Sequence, residues 1–148
     1  MKIQPLNIDS KKKYILVYTI CFIVMAFAAS LPWIVTGTSF VWKIDGQGQH
    51  YPALVYLGQT LREFFVGVFS GHPKWNMWDL NIGFGSDVVG TLNYYCIGDP
   101  LDLLSVFVPK AYTEYLYEFL IIFRMYLAGL AFSAFAFYKK AKYYPTLI

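Results

Sequence analysis

The stretch IDGQGQHYP, residues 44–52, places Asp45, Gln49 and His50 close together just beyond a long apolar run. A carboxylate within hydrogen-bond reach of a hydroxyl can take its proton as that weak nucleophile attacks an electrophilic carbon. Gln49 and His50 carry donors and acceptors that could orient the carboxylate or hold a hydroxylated ligand. Plainer roles stay open: Asp-Gly is a frequent turn pair, and Gln49 or His50 can cap a helix that begins at Pro52. Asp45 and His50 form a poor metal pair, because hard cations want several oxygens and no other ligand is fixed nearby in sequence. No cofactor is expected, and a divalent metal is not supported. Arg124 is the other pointed residue, a single charge within the apolar run Phe119–Tyr138. At that depth it needs a counter-ion or a route back to the headgroups.

The elements that must position these groups follow from composition. Of 148 residues, 57% are hydrophobic, 20% aromatic and only 14% charged, which is too apolar for an ordinary soluble domain and marks a membrane protein. The net charge of +3 sits in lysines clustered at the two ends, so nucleic acid is not expected as a partner. Tyr14–Trp33 is an uncharged run of about the 20 residues that cross a hydrocarbon core, and residues 14–35 are assigned to a first transmembrane helix. A cleaved signal peptide is the rival, since Ala26-Phe27-Ala28 has the small-x-small form, but apolarity continues past that point through Val35. A helix over 112–138 contains the second span. Lysines before the first span (tail 1–13) and after the second (tail 139–148) place both termini in the cytoplasm by the positive-inside bias. Residues 36–111 then face outward, with Asp45, Glu63, Asp79, Asp87, Asp99 and Asp102 exceeding Lys43, Arg62, Lys74 and Lys110.

In that outer segment Pro52 suits a first helical turn, and Leu54, Leu57, Leu61, Phe64, Phe65 and Val68 recur at helical spacing, predicting an amphipathic helix over about 52–69. It lies on the membrane surface or packs against other parts of the protein. Residues 71–100, dense in glycine, asparagine and aromatics, read as a long ordered loop or a few short turns. Asp99-Pro100-Leu101-Asp102 begins a short helix over about 100–108. Gly83-Phe84-Gly85 is no nucleotide fingerprint, lacking a preceding strand. Trp75, Trp78, Tyr94 and Tyr95 either anchor at the interface or stack on a ligand. Cys21 and Cys96 fall at different depths and are not expected to pair. On the second span Gly129, Ser133 and Ala136 share one face, the pattern that lets membrane helices approach closely. Arg124 lies about 9 Å inward from Glu118 and on a different face, so the two do not pair readily.

The order of these pieces resembles the opening of the bacterial YfhO family. The pieces are a first span, Asp45-Gly46-Gln47-Gly48-Gln49-His50-Tyr51-Pro52, an amphipathic helix, Trp78 with Gly83-Phe84-Gly85, then Tyr94-Tyr95 and Asp99-Pro100-Leu101. The likeness covers about residues 10–140. It implies a GT-C-like membrane glycosyltransferase that moves a sugar from a polyprenyl-phosphate donor to an extracytoplasmic cell-envelope acceptor. By that resemblance Asp45 is the catalytic position in the first outer loop. Gln47 stands where many of the wider class carry a second acid. Gln49 and His50 then become sugar-binding candidates, and the depth and chemistry of Arg124 suit a leaving lipid phosphate.

The expectation is therefore an all-α membrane protein, multi-pass in the bacterial cell membrane. Two transmembrane helices flank an extracytoplasmic loop with short amphipathic helices, as at the start of a GT-C-like polytopic bundle. The bilayer, the lipid-linked donor and the envelope acceptor are the expected partners. Family members are longer, so carboxyl-terminal helices are expected to be missing and the isolated chain to be inactive. The alternative is a small two-span accessory subunit acting by helix–helix binding. A transporter is a third reading, resting on Arg124 alone.

Overall fold

The computed structural model describes residues 8–147, so Lys2 of the amino-terminal basic tail and Ile148 lie outside them. The helices are α1 (Lys11–Thr36), α2 (Tyr51–Phe69), α3 (Val88–Leu92), α4 (Thr113–Tyr138) and α5 (Tyr143–Leu147). A two-residue ribbon, β1 (Trp78–Asp79) paired antiparallel with β2 (Ser86–Asp87), is the only sheet among the described residues. α1 and the helix ending at Tyr138 are long and apolar enough to cross a membrane. At a rise of about 1.5 Å per residue, 26 residues reach about 39 Å, more than the hydrocarbon thickness. The chain divides into two compact units, one of α1, α5 and α4 from Ile121 onward, the other of Ser39–Leu120.

The first unit is closed by tyrosines set against small residues. Ser10 caps α1 by accepting from the Lys13 amide at 3.3 Å, and Gly37 ends it in a left-handed conformation. Tyr14, almost fully buried, shares a 2.7 Å hydrogen bond with Ser133 Oγ, and its ring meets Phe137 edge-on at 4.8 Å. Tyr18 donates to the Tyr126 carbonyl at 2.9 Å and lies over Gly129, where an added Cβ would collide with its hydroxyl. The small-residue face of α4 thus takes aromatic side chains of α1.

The middle unit is organised around α2. One face packs Leu54 on Leu116 and Leu120 at the start of α4; another packs Ala53 and Leu57 on Val88, Leu92 and Cys96. Full burial of each large aliphatic chain contributes about 1.5–3 kcal/mol. Packing inside the protein, not the membrane surface, therefore occupies the first half of α2. Phe65, Val66, Val68 and Phe69 in its second half are exposed. Gly58 admits the backbone of Ser105, whose carbonyl oxygen would sit 2.7 Å from an added Cβ.

Two segments differ from the sequence expectation. Residues 88–97, expected as loop, form α3 running into a π-helical turn, Asn93–Ile97. The Asp87 carboxylate starts this helix by accepting from the Gly90 amide at 2.6 Å, and Val88, Leu92 and Cys96 bury one side of it. The expected helix near 100–108 is a 3-10 helix, Asp102–Phe107. Asp99 opens that stretch by accepting from the Leu101 amide at 2.8 Å. Arg62 Nη1 closes it by donating to the carbonyls of Ser105 (2.8 Å), which also accepts from the Val108 amide at 3.3 Å, and of Val108 (2.7 Å). Glu118 accepts from the Phe40 amide at 3.0 Å, so its carboxylate is used within the middle unit.

Candidate functional site

Asp45 stands at the amino end of a π-helical turn, Gly46–His50, that continues directly into α2. The backbone holds it there in a right-handed helical conformation, without a side-chain bond to the turn it precedes. Its carboxylate is half-exposed and forms no hydrogen bond to another described residue. The helix running back through Gly46–His50 leaves no terminus at Pro52 for Gln49 or His50 to cap, and neither side chain does so. Gln49 instead accepts from the Tyr95 hydroxyl at 3.1 Å, and the His50 ring meets Tyr95 edge-on at 5.3 Å. The middle unit therefore gathers Asp45, Gln49 and His50 on adjoining turns, with Tyr95 positioned by the last two. Arg124 lies on α4 in the other unit and is half-buried.

Beside Gln49 and Tyr95, two clefts open along the polar side of α2. The first, of about 310 Å³, is walled by Pro52, Ile82, Leu92 and Tyr95, with Gln49 and Thr91 as polar lining. The second, of about 460 Å³, is mainly polar, with Gln59 and Glu63 from α2 facing Lys74 and Asn76 from the following loop. Tyr56 and Asn81 line both. Between them the Asp79 carboxylate accepts from the Tyr56 hydroxyl at 2.5 Å on one oxygen, and from the backbone and side-chain nitrogens of Asn81 at 2.8 and 2.9 Å on the other. Those bonds, that from Tyr56 first and the Asn81 amide next, hold the Asp79 carboxyl below the usual carboxylate range. Burial first, and then the bond to Asp79, push the Tyr56 phenol up to about 12. Near neutral pH the pair is therefore a neutral phenol donating to a carboxylate.

Nothing in the sequence marks Tyr56, Asp79 and Asn81 as site residues. Tyr56 falls within the helical pattern, and Asp79 is one acid among several. Twenty-three positions separate the pair, and only the ribbon brings them together. That ribbon needs Gly83 and Gly85 at φ of 63° and 108°, so the Gly83-Phe84-Gly85 stretch is a turn that places Asp79 and Asn81. Of the four aromatics, Trp75 packs edge-on against Phe64, Trp78 covers Gly85, Tyr94 is exposed, and Tyr95 lines a cleft.

Cys96 is a core group: its thiol is buried against the Ala53 carbonyl, and desolvation, helped by Asp102, raises its pKa to about 12. Among the described residues no three His, Cys, Asp or Glu side chains are grouped to hold a metal ion.

A family model described as "Bacterial membrane protein YfhO" matches residues 16–148. No curated protein and no solved structure matches the chain.

Proposed function

The chain belongs to the YfhO family of bacterial membrane proteins, and from that premise we propose that it forms the acceptor side of a GT-C-like membrane glycosyltransferase. In this reading a sugar passes from a polyprenyl-phosphate carrier to a cell-envelope acceptor outside the cytoplasm. The lysines at both ends favour cytoplasmic termini, which turns the middle unit outward toward the acceptor. Asp45 takes the proton of the acceptor hydroxyl as its oxygen bonds to the anomeric carbon. The bond from that carbon to the lipid phosphate breaks, and the phosphate leaves with the electron pair. Arg124, an intramembrane cation, is assigned separately to contact with the phosphate of the lipid donor. Gln49 and His50 hold the sugar or steady Asp45.

One observation carries the assignment of the base. Among the described residues the Asp45 carboxylate engages no hydrogen-bond donor, while helical backbone on its carboxyl side fixes where it stands. Its lone pairs remain available to a hydroxyl proton. The test uses membranes carrying the full-length protein, a radiolabelled polyprenyl-phosphate sugar and isolated envelope acceptor. Asp45→Asn is expected to lower transfer by at least about a hundredfold at unchanged protein level. Arg124→Gln is expected to weaken use of the lipid donor while leaving acceptor dependence unaltered. Turnover retained in Asp45→Asn discards the base, and unchanged donor dependence returns Arg124 to a structural role.

A further inference from the structure

The two clefts along α2 have a chemistry that the base at Asp45 does not require. A carboxylate offers about four acceptor sites, and Asp79 spends three of them on Tyr56 and Asn81. One acceptor site is left, on a group whose orientation is already locked. Asn81 keeps its own carbonyl oxygen and one N–H, while the Tyr56 oxygen is already met by the Thr60 side chain. Donors and acceptors thus meet at one point, the pattern that a pair of neighbouring hydroxyls satisfies, since each hydroxyl both gives and takes a hydrogen bond. Gln59 and Asn76 extend the same mixed chemistry along the polar cleft. In the adjoining cleft, Tyr95 is held by its bond to Gln49 and stands with Pro52 and Ile82, an apolar wall for the C–H face of a ring.

Charge narrows the ligand. Asp79 and Glu63 against Lys74 leave the polar cleft with a formal charge of −1, Tyr56 being neutral near neutral pH. An anionic phosphate carrier is disfavoured there. A neutral polyhydroxylated chain is not.

We infer that the middle unit binds a neutral carbohydrate along α2, one sugar unit hydrogen-bonded by Asp79 and Asn81 beside Tyr56 and its neighbour laid against Tyr95. This deepens the proposed transfer, on which it rests only for identifying the ligand as the acceptor and not the donor. Both clefts are of the size that takes a small-molecule ligand, and they adjoin at Tyr56 and Asn81.

The experiment is saturation-transfer NMR on the full chain in lipid nanodiscs. Maltotriose, N,N′,N″-triacetylchitotriose and β-1,4-galactotriose are the neutral probes, and inorganic phosphate and an isoprenyl phosphate the anionic ones. Saturation of at least one trisaccharide, with no displacement by either phosphate, is expected. Asn81→Ala, at an exposed position, should weaken that binding at least tenfold with the circular dichroism unchanged. Gln59→Ala, on α2 in the polar cleft, should weaken it about threefold. Absence of saturation in all three trisaccharides, displacement by phosphate, or affinity unaltered in both variants overturns the inference. Asp45→Asn separates it from the transferase reading. Binding kept in a wild-type protein that transfers no sugar retains the cleft and removes the enzyme. Transfer whose acceptor dependence ignores Asn81→Ala retains the enzyme and removes the cleft.

Discussion

In the unit formed by α1, α5 and the apolar length of α4, Tyr14 and Tyr18 set their hydroxyls against Ser133 Oγ and the Tyr126 carbonyl; in the middle unit, Tyr56 sets its hydroxyl against the Asp79 carboxylate. The same side chain thus works with neutral partners in one place and an ionised partner in the other. Where lipid surrounds a helix pair, a neutral hydroxyl can be satisfied without desolvating a charge, and α1 also turns Thr19, Ser30 and Thr36 back onto its own carbonyls. Polar groups there are consumed in holding the helices. In the middle unit a carboxylate can stay ionised beside water and still have a lone pair to offer. Among the described residues, Asp79 and Asn81 show on that side of the comparison the spare polar capacity that a binding cleft needs.

Arg62→Ala should give the largest effect and break the comparison most cleanly. It removes the charged donor from the carbonyls of Ser105 and Val108, and bonds to a charged group contribute about 1.5–3 kcal/mol each, so a loss of about 3 kcal/mol is expected for a partly exposed pair. Amide hydrogen exchange should accelerate over Asp102–Val108 while α1 stays protected. Uniform loosening of both units would show that they are not held independently.

Gly129→Val follows. Tyr18 has no room to receive the new side chain, and overpacking costs about 1–3 kcal/mol. Nuclear Overhauser contacts from the Tyr18 ring to α4 should vanish, with those between α2 and α3 retained. Persistence of the Tyr18 contacts would mean that α4 shifts to absorb the change.

Tyr56→Phe is the smallest perturbation, because the ring stays in place against the α2 and α3 core. In the wild type the Asp79 carboxyl titrates below 3.8, so its contribution to stability is present above that pH and is lost as acid takes it through the lower, folded value. For Tyr56 the sign is opposite: the folded phenol titrates near 12 against an ordinary 10.0, and stability falls as the pH rises from 10 toward 12. Removing the hydroxyl should move the Asp79 titration, followed by its side-chain carbon shift, back toward 3.8 and take the Tyr56 part out of the alkaline slope, leaving the part that buried Cys96 contributes. An unmoved Asp79 would show that Asn81 alone holds it.

The long helices were legible because about twenty apolar residues in a row leave the backbone no other way to satisfy its polar groups in lipid. α2 was legible from Pro52 and the spacing of Leu54, Leu57 and Leu61. Gly129 and Ser133 announced a face for close approach, though not that tyrosines would fill it. By contrast, α3 leaves little trace in the sequence because Gly90 sits in its middle and its start depends on one capping carboxylate, Asp87. Asp45, Gln49 and His50 stood out in the sequence because chemically active types crowd there. The cleft did not, because Tyr56 and Asp79 are neighbours only after a turn and a ribbon have formed.

The amino-acid sequence by itself determined that this is a helical membrane protein with two long apolar helices, since hydrophobic run length and end charge act locally and need no partner to be read. Tertiary structure alone decided which polar groups meet, how Arg62 closes the Asp102–Phe107 helix and how Asp79 is locked between Tyr56 and Asn81. A hydrogen bond depends on distance and direction in space, and separation along the chain carries neither.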